Sequence, residues 1–191
     1  MWARPLTAHY IPAKGLSMDM LEILRQATLA ISPRYFFLPV AGNHTPALRE
    51  RVYCYELYHQ LRCRMGSSQL MLMGEPDKRG HHALPPINPD FILHIPGEIN
   101  VNAAAIEVEC RVDYAHVRKD IHNLGVLQRF GYEELVLLLF ANRTVPWPAL
   151  ERAAQAEQVD LARIVVLLHS EPGVSALRKA PPEATVAQHQ V

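Results

Sequence analysis

Residues 89–109 read PDFILHIPGEINVNAAAIEVE, and this stretch decides the fold of the chain. A short apolar segment, Asp90–Ile95, is followed by a loop of turn-forming residues and then by a second apolar segment, Ala104–Arg111. Each segment has the length of a β-strand, so we predict two strands. Side chains alternate between the two faces of a strand, which places Glu107 and Glu109 together on one face of the second strand.

Outward from these two strands, the spacing of apolar residues predicts alternating helices and strands. Before them we expect a helix over residues 17–31 with Ser17 as its N-cap, a helix from Thr45 to Met65 closed by Gly66, and a strand over residues 69–74. After them we expect a helix over residues 114–130, a buried strand over 134–141, a helix over 146–158 and a buried strand over 163–168.

This element order indicates one mixed α/β domain over residues 1–170, with antiparallel strands first and a helix-linked parallel pair after them. Residues 171–191 lose periodicity and gain proline, which predicts a flexible tail. The 191 residues are 49% hydrophobic and 20% charged, a composition that excludes a disordered chain. The formal net charge of zero counts against indiscriminate nucleic-acid binding through a basic surface.

The cellular compartment is also an expectation from sequence. No apolar run approaches the length of a membrane span, and the first residues lack an apolar segment of signal-peptide length. Cys54, Cys63 and Cys110 show no paired spacing, which is typical of thiols in a reducing compartment. We therefore expect a cytoplasmic protein.

Three carboxylates in the central stretch predict a cation site. Like charges on one strand face are unfavourable unless a cation or water lies beside them. If the two central strands pair, Asp90 comes next to Glu107 and Glu109. Mg²⁺ prefers such oxygen ligands, and a bound Mg²⁺ lowers the pKa of water and neutralises charge on a phosphodiester. We predict a Mg²⁺ site in which Mn²⁺ can substitute.

The sequence also resembles a known superfamily. Pro89-Asp90 followed by Glu107-Val-Glu109 is similar to the PD-(D/E)XK signature of restriction-endonuclease-like nucleases, and the element order over residues 46–170 resembles their αβββαβ core. The resemblance implies that Asp90 and Glu107 bind the metal ion. It implies Mg²⁺-dependent hydrolysis of DNA in prokaryotic defence, restriction or repair. Because a separate target-recognition domain is missing, specificity would come from a homodimer or from partner proteins of a defence system.

Further site residues follow from the same resemblance. Glu56, in the helix before the first strand, corresponds to an additional acidic metal ligand. Glu109 replaces the usual motif lysine, so either Glu109 acts as general base or ligand, or Lys119 on the next helix supplies the amine. The replacement is also compatible with an inactive nuclease-fold subunit that binds nucleic acid or partner proteins. Gln128 and Tyr132 fit the QxxxY spacing of RecB-like members, which makes Gln128 a candidate nucleic-acid contact.

A basic loop and a competing metal site complete the candidates. The loop offers contacts to phosphate groups through Lys78, Arg79, His81 and His82. His81 and His82 with Cys110 are the alternative, a transition-metal site, although their spacing is not that of structural zinc. Pro76-Asp77 also reads PD, but no apolar strand follows it directly, so we favour Asp90.

Overall fold

The computed structural model describes residues 19–76, 86–98 and 101–182. Its helices are α1 (Met20–Leu29), α2 (Pro33–Phe36), α3 (Glu50–Met65), α4 (Tyr114–Arg129) and α5 (Trp147–Glu157). Its strands are β1 (Met71–Gly74), β2 (Phe91–His94), β3 (Asn102–Glu109), β4 (Glu134–Phe140), β5 (Ile164–His169) and β6 (Leu177–Lys179). The predicted mixed α/β class is confirmed.

The six strands form one sheet in which spatial order equals chain order, β1-β2-β3-β4-β5-β6. The pairs β1–β2 and β2–β3 are antiparallel, whereas β3–β4 and β4–β5 are parallel. A parallel pair needs a long crossover, and α4 and α5 provide the two that are required. The predicted sequence of antiparallel strands followed by a parallel pair is therefore confirmed.

Helices cover both faces of the sheet, so the chain has two hydrophobic cores. Helices α1, α2 and α3 pack on one face, around residues such as Leu57 and Val108. Helices α4 and α5 pack on the other, around residues such as Ile121 and Leu137. Strand β4 is apolar along its length because both of its faces are covered.

The second long helix begins later than the sequence predicts. Ala47 pairs with Leu38 through two backbone hydrogen bonds of 2.9 Å, so the chain is extended there and α3 starts only at Glu50. The prediction of Thr45 as N-cap is therefore wrong, because a backbone bridge to a distant residue replaces the first helical turn. Gly66 ends α3 with a positive φ of 59°, as predicted. Ser17 lies outside the described residues, and Asp19 caps α1.

Part of the predicted tail belongs to the sheet. Leu177–Lys179 form β6 against β5, and Ala176 is fully buried with its amide donating a 2.9 Å hydrogen bond to Thr28 Oγ1 on α1. The prediction of a flexible segment from residue 171 is wrong for these residues, because backbone pairing holds a strand too short to show periodicity. Residues 183–191 lie outside the described part. Within the described residues, no helix combines the length and apolar character needed to cross a bilayer.

Candidate metal and active site

The pairing of β2 with β3 brings Asp90 to the glutamates. Phe91, the first residue of β2, pairs with Ile106, so Asp90 lies just beyond the strand end beside Glu107. Asp90 Oδ2 accepts a 2.7 Å hydrogen bond from the amide of Val108. Asp90 thus occupies the position where a further β2 residue would pair, and it remains partly exposed. Burial raises the pKa of Asp90 to about 6, against the lowering effect of that hydrogen bond.

Glu107 lies wholly inside the protein. Its side chain is 0% exposed, and its Oε1 accepts a 2.9 Å hydrogen bond from Asn123 Nδ2 on α4. Its Oε2 accepts no hydrogen bond from the described residues. Burial, followed by the charges of Asp90 and Asp120, raises the pKa of Glu107 well above its usual range. A buried carboxylate oxygen of this kind is stable only when it takes up a proton or faces a cation.

Asp120, on α4, interacts electrostatically with Asp90 and Glu107, and we call these three residues the carboxylate cluster. The sequence patterns do not single out Asp120. It is 1% exposed, and burial raises its pKa to about 8 although the Lys119 amine acts in the opposite direction. Asp120 and Asn123 occupy the buried side of α4 next to Val117 and Leu124. The sequence signal for these two residues is their position among the apolar residues of the helix. Polar residues at such positions need partners inside the protein, which marks them as candidate site residues.

The Lys119 amine lies beside Asp120 on the same helix. The Lys119 side chain is 57% exposed, yet its Nζ lies 3.2 Å from Asp120 Oδ1. Partial burial lowers the pKa of Lys119. The carboxylates of Asp120, Glu107 and Asp90 raise it by more, so the net effect is a raised pKa. A permanent positive charge therefore stands at the solvent edge of the carboxylates.

Glu109 faces a different acid, Glu50 at the start of α3. The ligand atoms of Glu50, Glu109 and Cys110 all lie within 4.8 Å of one another. Glu109 is 1% exposed, and its Oε1 accepts a 2.6 Å hydrogen bond from the amide of Arg111. Burial and the adjacent Glu109 raise the pKa of Glu50 to about 7.

Glu50, and not Glu56, is the α3 acid at the site. The two residues are six positions apart, which corresponds to about 120° around the helix axis, so they cannot face the same point. Glu56 Oε1 instead accepts a 2.7 Å hydrogen bond from Gln60 on the same helix. Among the described contacts, none joins Glu56 to Asp90 or Glu107. The structure therefore places Glu56 on a different side of α3 from Glu50, and does not bring it to Asp90 and Glu107.

Of the remaining candidates, the two that the structure describes lie away from Asp90 and Glu107 along α4 and in the core. Gln128 is eight residues beyond Asp120 on α4, which is about 12 Å along the helix axis. Tyr132 is 4% exposed and packs in the core between α4 and the sheet. The predicted phosphate loop lies outside the described residues, as does the histidine pair of the alternative metal site: Lys78, Arg79, His81 and His82.

The donor set fits a hard divalent cation. Asp90 and Glu107 offer carboxylate oxygens, and the buried Glu107 Oε2 is the atom that a cation would satisfy. The nearby Cys110 is a poor ligand, because burial raises the pKa of its thiol to about 11 and keeps it protonated. The available donors are therefore carboxylate oxygens, which hard divalent cations bind more readily than thiol-seeking metals do.

The fold and the site together define a class: a mixed α/β protein with a buried carboxylate cluster and one amine at the end of the central strands. Comparison with models of known protein families gives no match, and comparison with curated proteins gives no significant relative.

Proposed function

We propose that this chain is a metal-dependent nuclease of the PD-(D/E)XK type, which hydrolyses DNA phosphodiester bonds with Mg²⁺ or Mn²⁺. The observation that carries the proposal is that Asp90 and Glu107 lie side by side on adjacent strands and interact electrostatically with each other and with the Lys119 amine. Glu107 Oε2, which accepts no hydrogen bond from the described part of the chain, supports a cation there in particular. The strand order supports the restriction-endonuclease-like core, since a helix and three antiparallel strands precede a helix and a parallel strand.

Each residue has a defined part in this proposal. Asp90 and Glu107 hold the ion, and Asn123 orients Glu107 through its amide. When bound, Mg²⁺ neutralises phosphate charge and acidifies a water molecule. The Lys119 amine stabilises negative charge that develops on the phosphoryl oxygens. Glu109 or its neighbour Glu50 is available to accept the proton of the attacking water as the new P–O bond forms and the old one breaks.

The setting of this activity is part of the same proposal. We infer DNA as the substrate in prokaryotic defence, restriction or repair, in the cytoplasm, with a homodimer or partner proteins supplying target choice. The alternative is a nuclease-fold subunit without catalysis that binds nucleic acid or partners. Glu109 in the position of the motif lysine and the zero net charge favour that alternative.

Cleavage assays decide between the two. Purified protein is incubated with supercoiled plasmid, linear duplex and single-stranded DNA, in Mg²⁺, in Mn²⁺ and in EDTA. We expect cleavage that requires the divalent ion, falls at least about 100-fold in Asp90→Asn and persists in the matched control Glu56→Gln. Equal cleavage by wild type and Asp90→Asn would mean that the activity is not from this site. Divalent-ion binding without any cleavage would favour the non-catalytic alternative.

A further inference from the structure

A pocket of about 300 Å³ lies directly beside the carboxylate cluster, between α3 and the ends of β1 and β2. Its lining comprises Cys54, Tyr55, Tyr58, Gly74, Glu75, Asp90 and Phe91. Asp90 therefore belongs to two features at once: it is a proposed metal ligand and it forms part of the pocket wall. A volume of this size is at the lower end of ligand pockets and suits one small planar group.

The pocket walls are aromatic and fixed in place. The rings of Tyr58 and Phe91 are nearly parallel, with an interplanar angle of 26° and centroids 6.4 Å apart. Tyr58 is held by a 3.3 Å hydrogen bond from its hydroxyl to the carbonyl of Leu72. Tyr55, one helical turn before Tyr58, remains 62% exposed at the pocket. An exposed tyrosine beside two ordered rings is a surface on which another flat ring can stack.

The mouth of the pocket carries polar groups that are held by backbone geometry. Glu75 adopts a positive φ of 43°, a conformation that a non-glycine residue keeps only when its surroundings impose it. The amide of Glu75 donates a 2.8 Å hydrogen bond to the carbonyl of Asp90, and its carboxylate pairs with Arg51 at 3.1 Å. Glu75 thus places in the pocket wall a carboxylate that can accept hydrogen bonds from the edge of a nucleobase.

Gly74 lies against both aromatic rings in the pocket wall. A Cβ at this position would be in van der Waals contact with both rings, 3.5 Å from Phe91 Cε1 and 3.6 Å from Tyr58 Cδ2. A side chain larger than that of alanine would therefore crowd the two rings and narrow the pocket.

We propose that this pocket receives an unpaired nucleobase of the strand whose phosphate is held at Asp90 and Glu107. The substrate is then single-stranded nucleic acid, or a nucleotide turned out of a duplex, because only an unpaired base can enter the pocket. This inference rests on the proposed function for the position of the phosphate. The proposal of a base-binding pocket depends only on the arrangement of the aromatic side chains. Stacking of bases on aromatic side chains tolerates any sequence, so we expect binding to depend little on base identity.

Binding measurements with fluorescent oligonucleotides test the inference. Fluorescence anisotropy is recorded in Ca²⁺, with gels to verify intact strands, for a single strand and for a hairpin duplex of the same sequence. We expect the wild type to favour the single strand and Tyr55→Ala to lose about 10-fold in single-strand affinity with little change for the duplex. The matched control is Tyr35→Ala, which removes an exposed tyrosine on α2 that does not line the pocket.

An abasic scan gives a second readout on the unaltered protein. Removing the base at one position of the single strand should weaken binding to the wild type about 10-fold, as Tyr55→Ala does. The same removal should have no further effect on binding to Tyr55→Ala. A flat scan in the wild type, or an equal loss in Tyr35→Ala, would overturn the inference. Failure of the nuclease proposal is distinguishable, because base-dependent binding would then persist while metal-dependent cleavage is absent. DNA and RNA versions of the strand identify which sugar is accepted.

Discussion

Asp90 Oδ2 accepts a 2.7 Å hydrogen bond from the amide of Val108, the residue between the two glutamates of β3. This bond fixes the Asp90 carboxylate relative to Glu107 before any ligand arrives, and it satisfies a backbone donor beyond the end of β2. Substitution with alanine would leave that donor without its acceptor, whereas asparagine can still accept the bond. Asp90→Asn is therefore the variant that removes charge while keeping the strand geometry.

Glu107→Gln should stabilise the metal-free protein. The substitution removes a buried carboxylate with one unpartnered oxygen and keeps the size of the side chain and its contact to Asn123. We expect the free energy of unfolding in EDTA to rise by about 1–3 kcal/mol, as expected when a buried charge without full compensation is neutralised. Urea denaturation at pH 7 measures this. Lower stability of Glu107→Gln would mean that Glu107 is already compensated without an ion.

Lys119→Met should separate metal binding from catalysis. Loss of a positive charge close to Asp120, Glu107 and Asp90 removes repulsion of a divalent cation, so metal affinity should be equal or higher. Cleavage should fall by about 100-fold or more if the amine stabilises charge in the transition state. The control is Arg118→Met, since Arg118 pairs with Glu157 on α5 and not with the cluster. Full activity of Lys119→Met would remove Lys119 from the mechanism.

The sequence predicts the parts of this site that depend on strand pairing. It does not predict which residues reach the site from a helix, because that depends on how the helix is oriented against the sheet. Asp90 beside Glu107 follows from two adjacent strands, and the observed β2–β3 pairing confirms that arrangement. The choice between Glu50 and Glu56 depends on which side of α3 faces the sheet. Predicting a helix that starts at Thr45 does not show how that helix is rotated about its axis. Asn123 donates a hydrogen bond to Glu107 of β3, and Asp120 is buried near the strand carboxylates, and only tertiary packing brings these α4 residues to the sheet.

His169 should make folding less favourable in acid. It is fully buried, forms a 2.6 Å hydrogen bond between its Nδ1 and the Tyr53 hydroxyl, and burial lowers its pKa to about 4. The unfolded chain takes up a proton below about pH 6.5, while the folded protein does so only near pH 4. The contribution of His169 is therefore intact above pH 6.5 and falls by about 3 kcal/mol as the pH drops to 4.

Comparison of variants isolates this effect from the buried carboxylates, whose raised pKa values act in the opposite direction. The difference in free energy of unfolding between wild type and His169→Asn should shrink between pH 6.5 and 4. His59→Asn, at an exposed histidine on α3, is the matched control. A difference that stays constant over this range would show that His169 is protonated in the folded protein.

Gly125→Ala should destabilise the contact between α4 and Val159, which follows the end of α5. A Cβ at Gly125 would overlap with Val159 Cγ2, so the two segments must move apart. We expect a loss of about 1–3 kcal/mol, typical of overpacking. Thermal unfolding of the single variants and of Gly125→Ala with Val159→Ala measures it. The double variant should be more stable than the sum of the single losses predicts, and strict additivity would contradict the packing interpretation.

Calorimetric titration of Mg²⁺ and Mn²⁺ into wild type, Glu107→Gln and Glu56→Gln tests the central claim most directly. The account predicts saturable binding to the wild type, binding that is weakened at least about 10-fold in Glu107→Gln, and wild-type affinity in Glu56→Gln. If Glu107→Gln binds either ion as tightly as the wild type does, or if the wild type binds neither, Asp90 and Glu107 do not form a metal site.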